Sequence, residues 1–142
     1  MEHPIESCIR RTFEIESPEL ERLAYFVLAH VLIDTRLIAT GLFDQIATRG
    51  GLSLVEIQGL ADKAAAGTFG THLERVAGKI PDDCFRIADE LNRARNGLFH
   101  WRRDRLDPQP SYRGQDVTSP SGFQACMDDV LTFIQTVPWR NP

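Results

Sequence analysis

Asn92, Arg95, Asn96 and His100 are the residues of this chain whose types and spacing best suit chemistry. Asn92, Asn96 and His100 are four apart, so in a helix they line up along one face. Arg95 lies five residues before His100, about 140° away around an ideal helix, an angle a long arginine side chain can reach round. An imidazole titrates near neutral pH and can give or take a proton, while a guanidinium forks onto carboxylate or phosphate oxygens. Gly97 stands between them. Glycine in a helix interior costs about 1 kcal/mol against alanine. That cost is offset if the bare backbone admits a partner helix or a substrate; otherwise Gly97 is incidental and His100 is an ordinary half-exposed histidine.

The element that must position these residues is a helix from about Pro81 to Arg102, opened by Pro81-Asp82-Asp83 with its acids at the favourable end of the dipole. Ile87, Leu91, Ala94, Leu98 and Trp101 form its core stripe. Phe85, Asn92, Asn96 and His100 fall opposite, with Phe99 beside them and Arg95 at the edge of the stripe. Aromatics among amides and an imidazole predict an interface or a cleft on that side. Phe85, Asn92 and Phe99 are therefore the candidate contacts of a two-fold homodimer.

Arg95-Asn96-Gly97-Leu98-Phe99-His100 resembles the signature of HEPN domains, an Arg-Asn pair with four residues between the arginine and a histidine. The similarity is closest to the branch that resembles the mannitol-operon repressor. It extends to Glu21–Phe43, with Leu-Ile-Asp-Thr-Arg-Leu-Ile inside it, to Gly67-Thr68-Phe69-Gly70-Thr71, and to Gly78-Lys79-Ile80, so that most of Glu19–Trp101 is covered. Phe99 departs from the small residue usual in that branch. The resemblance implies a metal-independent endoribonuclease of toxin or defence type that uses the substrate's own ribose 2′-hydroxyl. His100 is then the proton-transfer group, Arg95 the holder of the scissile phosphate, and Asn96 the group that orients either. Arg93, Arg102 and Arg103 would grip the RNA backbone. Relatives commonly dimerise so that two motifs share a cleft, which would supply both an acid and a base. The resemblance also implies an alternative, towards which the mannitol-repressor branch leans: a non-catalytic regulatory module acting through a protein partner, such as an antitoxin, or through a nucleotide.

The elements around the motif read as helices. Ser17-Pro18-Glu19 opens a long one running to about Gln45, with Leu20, Leu23, Ala24, Val27, Leu28, Val31, Leu37 and Ile38 as its apolar positions. His30 and Asp34 share a face of it and read as a satisfied core pair rather than as metal ligands. Ser53 caps a shorter helix with Glu56 three residues on, and Thr68 or Thr71 starts another that Gly78 stops. Residues 107–121 form a Pro/Ser/Gly loop in which Tyr112 and Arg113 either close over a ligand or lie in surface coil. Ser121 is the expected cap of a last helix carrying Phe123, Met127, Val130, Leu131 and Ile134, which Pro138 ends. No stretch alternates with period two, so essentially no sheet is expected. The fold class is all-α, an antiparallel HEPN-like bundle of about four to five helices in one domain over 1–142, with 1–16 as an N-terminal arm.

A length of 142 residues with 42% hydrophobic and 25% charged residues suits one soluble domain. The net charge of −4 excludes a globally basic nucleic-acid binder, but Asn92–Arg113 holds six Arg against two Asp, leaving −8 on the remainder. That run is either a local phosphate-binding surface or a set of arginines paired with acids around them. Three cysteines without a C-x-x-C suggest free thiols in a reducing, cytoplasmic setting. The first residues lack a signal-peptide pattern, and the apolar stretch from Leu23 to Leu42 is broken by His30, Asp34 and Arg36, so a core helix and no membrane span is expected. Neither a metal nor a cofactor is expected: the four histidines lack ligand spacing, and there is no phosphate loop and no nucleophile motif.

Overall fold

A computed structural model describes residues 4–5, 18–101 and 111–137, with Leu20 and residues 98–101 described in their backbone only. Among the described residues, five helices carry the architecture: α1 Pro18–Arg49, α2 Leu54–Ala65, α3 Phe69–Arg75, α4 Asp82–Trp101 and α5 Pro120–Thr136. The 1–16 arm lies outside the described residues except for positions 4–5.

Local chemistry sets the boundaries. The Ser53 side chain accepts from the Glu56 backbone N–H and bonds its carboxylate at 3.0 Å, closing the first turn of α2. Thr68, not Thr71, caps α3 by accepting from the Thr71 N–H. Each such cap stabilises its helix by about 1 kcal/mol. Gly78 takes φ +77° just after α3, a conformation that glycine adopts without a Cβ penalty. The last helix is capped by Ser119, which accepts from the Gly122 N–H, and has Pro120 at its first position. The expectation of Ser121 is therefore displaced by two residues, because Pro120 belongs inside the helix, where its fixed φ is helical and its missing N–H costs nothing.

The expectation of essentially no sheet is also corrected. Within the 107–121 segment, β1 Ser111–Tyr112 pairs antiparallel with β2 Gln115–Asp116, with Tyr112 opposite Gln115. Arg113 and Gly114 both have positive φ, the backbone of a two-residue hairpin turn. Two-residue strands carry no visible alternation, which is why periodicity missed them.

α1 is the central element and packs against each of the other four helices. Arg22 bonds the Thr118 carbonyl and Arg36 the Val137 carbonyl at 2.8 Å, so α1 and α5 lie side by side and run in the same direction. The α1 residues turned inward are Phe26, Ala29, His30, Ile33 and Leu37. Val27, Leu28 and Val31, expected in the core, are exposed instead. α1 is apolar nearly all round, so hydrophobicity could not choose its buried side. The choice follows the polar partners: the face with His30 and Asp34 meets α3 and α4. The rest of the core is Phe69, Leu73, Val76, Ile80, Cys84, Ile87, Ala88, Leu91, Ala94, Tyr112, Val117, Cys126, Val130, Phe133 and Val137.

Candidate functional site

α4 presents Cys84, Ile87, Ala88, Leu91 and Ala94 to the core, close to the expected stripe. It is helical without a break through Gly97 as far as Trp101. Positions 95 and 100 therefore stand about 140° apart around one continuous axis. The backbone of His100 lies in the last turn of α4; its side chain and those of Leu98, Phe99 and Trp101 lie outside the described residues, as do Arg102 and Arg103.

The first half of the motif turns towards α1. Asn92 is half-buried and is a hydrogen-bond neighbour of the His30 imidazole, and the charge of Arg95, also half-buried, acts on the same ring. His30 is 5% exposed and stacks on Phe69, with ring centroids 4.3 Å apart. Its Nε2 has no hydrogen-bond partner among the described residues. Burial, then the Arg95 charge, push its pKa down to about 4, against smaller opposing effects from Asp34 and Asn92. The ring is thus neutral around pH 7.

The expected His30–Asp34 pair is corrected by a third residue. The Asp34 carboxylate is 2.7 Å from Nδ1 of His72, while His72 Nε2 is 3.4 Å from the Ala66 carbonyl oxygen. His72 is 3% exposed. It enters from α3, 38 residues away in sequence, so spacing along one helix could not show the pairing. Five polar side chains, His30, Asp34, His72, Asn92 and Arg95, thus gather where α1, α3 and α4 meet. The only sequence signal for this cluster is the placing of His30 and Asp34 one turn apart in an otherwise apolar stretch.

The other candidates separate from this cluster. Asn96 is exposed and available to solutes. Arg93 is 77% exposed and pairs with Asp89 one turn earlier at 3.0 Å. Phe85, a candidate dimer contact, is half-buried against the chain's own core, and Asn92, another, meets His30. Of the basic run, Arg93 and Arg113 pair with carboxylates, Arg113 with Asp129 at 3.1 Å. Tyr112 neither covers a ligand nor lies in coil: it is buried, and its hydroxyl donates to Asp129 at 2.8 Å. Burial, then that bond and the Asp129 charge, push the Tyr112 phenol well above its ordinary pKa. Among the described residues no group of three or more His, Cys, Asp or Glu is placed to hold a metal ion. α1 has the length and composition of a membrane span over Glu21–Arg49, with a third of its most apolar window buried.

Chemically, the α1/α4 seam offers a neutral imidazole, an amide and a guanidinium at one level of the fold, with Asn96 on the open side of the same helix. Such a set can hold an anionic oxygen and fix an arginine's direction. The chain matches no known protein family, no curated protein and no solved structure.

Proposed function

We propose that this chain is an HEPN-like, metal-independent ribonuclease that cuts RNA through Arg95, Asn96 and His100 and works as a homodimer. The observation that carries the reading is the placing of Arg95: the motif arginine sits half-buried beside a neutral imidazole at the α1/α4 seam, next to the exposed Asn96. A guanidinium presents a planar fork of donors that matches phosphate oxygens. The attacking group is the ribose 2′-hydroxyl. His100 takes its proton as the 2′-oxygen bonds to phosphorus and the P–O5′ bond breaks, the His100 of the second copy gives a proton to the departing 5′-oxygen, and Arg95 stabilises the charge that develops on the phosphate oxygens. The regular run of α4 keeps positions 95 and 100 on different sides of one axis, which favours a site completed by a second copy of the chain. Incubating purified protein with mixed RNA and excess chelator tests this. The products should carry 2′,3′-cyclic phosphate ends; an absolute requirement for a divalent ion contradicts it.

A second reading is a non-catalytic regulatory module of similar fold that binds a protein partner, such as an antitoxin, or a nucleotide. The engagement of Asn92 and Arg95 by His30 within the chain's own interior favours it, because side chains used for packing are less free for chemistry. Saturable RNA or nucleotide binding without turnover would select it.

A further inference from the structure

α2 is the helix held most lightly in this fold. Of its twelve residues only Leu60 and Ala64 are buried, while Leu54 and Val55 are 85% and 82% exposed. It packs chiefly on α1. Ser53 reaches Glu56 and Gln58 donates to Asp62 at 3.0 Å, bonds that stay within the helix and its cap. Glycines at positive φ flank it, Gly50 at +65° and Gly51 at +60° before it and Gly67 at +111° after it. A Cβ at Gly50 or Gly51 would meet nothing within 4 Å, so neither glycine is there to let another part of the chain come close. Both ends of α2 thus join the chain at residues that can absorb large backbone rotations, as hinges do.

His72 ties the C-terminal end of α2 to the rest of the fold. Its ring is 3% exposed and lies between two acceptors. Nδ1 is 2.7 Å from the Asp34 carboxylate, and Nε2 is 3.4 Å from the carbonyl oxygen of Ala66, the residue that closes α2. Arg75 also donates to the Lys63 carbonyl at 3.3 Å, but that bond is exposed. An imidazolium donates from both nitrogens, whereas a neutral imidazole has one N–H and one bare lone pair. The single donor goes to the carboxylate, which is the nearer and stronger acceptor. The Nε2 lone pair then faces the Ala66 oxygen, and one proton has turned attraction into repulsion. We propose that His72 is a proton-operated latch on α2: with a proton on each ring nitrogen it joins Ala66 to Asp34 and holds α2 against α1, and on losing one it lets α2 swing out about its glycine ends.

The groups around the ring assign the proton to His72. On α1, Asp34 faces it, with His30 one turn earlier. α2 meets it through the Ala66 carbonyl, with Asp62 and Lys63 in the preceding turn. α3 itself carries Glu74 and Arg75, and α4 reaches the cluster through Arg95, whose charge acts on His30. Of these residue types only an imidazole changes charge near neutral pH. Burial and Arg95 have taken His30 out of that range, to about 4. The inference does not need the ribonuclease reading, since the opening of α2 can be measured whether or not RNA is cut.

Amide hydrogen exchange of the full chain at about pH 6 and pH 8.5 tests it, with each rate compared to the intrinsic rate at the same pH. At the higher pH the amides of Leu54–Ala65 should lose roughly 2–10-fold of their protection, the factor that one net hydrogen bond corresponds to, while those of residues 26–37 in α1 keep theirs. His72→Gln, whose side chain cannot gain a charge, should show the same α2 protection at both pH values. Nitrogen-15 NMR of the wild-type ring, which needs no variant to fold, should find both nitrogens protonated at the lower pH and one at the higher. A ring in the same protonation state at both overturns the proposal. So does α2 protection that stays constant while the ring loses its proton, or that falls in His72→Gln as it does in wild type. A loss shared equally by residues 26–37 also overturns it, since that is unfolding of the whole chain and not the opening of α2.

Discussion

His30 is the residue at which burial and charge meet most sharply. Its pKa in the folded protein is about 4 against an ordinary 6.5, so folding releases a proton that the unfolded imidazole would hold between those values. The contribution to stability is full above pH 6.5 and is lost as pH falls towards 4, where the buried ring must charge beside Arg95. From pH 7 to pH 4.5 this one residue should remove about 2–3 kcal/mol. Urea denaturation of wild type at the two pH values, set beside His30→Phe, measures it: the variant keeps an aromatic ring for Phe69 but cannot titrate, and its stability should fall by that much less. Equal losses in the two proteins would mean that the imidazole is not the titrating group. In Arg95→Ala the His30 pKa should rise, because the second-largest cause of its depression is gone, and the imidazole NMR signals report the shift directly.

At the scale of elements, the hairpin between α4 and α5 is fixed more firmly than a Pro/Ser/Gly segment implies. Tyr112 reaches the Asp129 carboxylate from β1, and Arg113, in the left-handed region at φ +52°, reaches the same oxygen from the turn. Tyr112→Phe removes the hydroxyl but keeps the ring, and should cost about 1–2 kcal/mol in thermal or urea unfolding. Gly122 is where α5 touches the hairpin: a Cβ there would lie 2.0 Å from the Asp116 carbonyl oxygen, which is backbone and cannot swing aside. Gly122→Ala should therefore cost about 1–3 kcal/mol, and a neutral result would show that the hairpin can move off the helix. These contacts mark the limit of what the sequence makes legible. Caps at Ser53 and Thr68 and the inward stripe Ile87–Leu91–Ala94 were readable because they are local and periodic. The buried side of α1, the His72–Asp34 pair and the hairpin were not. Each depends on residues far apart in sequence, and α1 is too uniformly apolar for its pattern to point one way. Of the motif, spacing showed a shared helix and a divergence of 95 from 100, but not that Arg95 and Asn92 meet His30.

At the scale of the whole molecule, a net charge of −4 coexists with an arginine-rich segment at the end of α4. RNA should be gripped there and not over the surface at large. If Arg93, Arg102 and Arg103 each neutralise one phosphate, log K for a single strand should fall with log salt concentration at a slope of about −2, and Arg102→Ala/Arg103→Ala should make that slope shallower. The most direct measurement of the central claim compares wild type with His100→Ala for single-turnover RNA cleavage and for RNA affinity, both in excess chelator. The account predicts a rate lower by about 10²–10⁴-fold with little change in affinity, as expected for a lost acid–base group. Equal cleavage by the two proteins would contradict it.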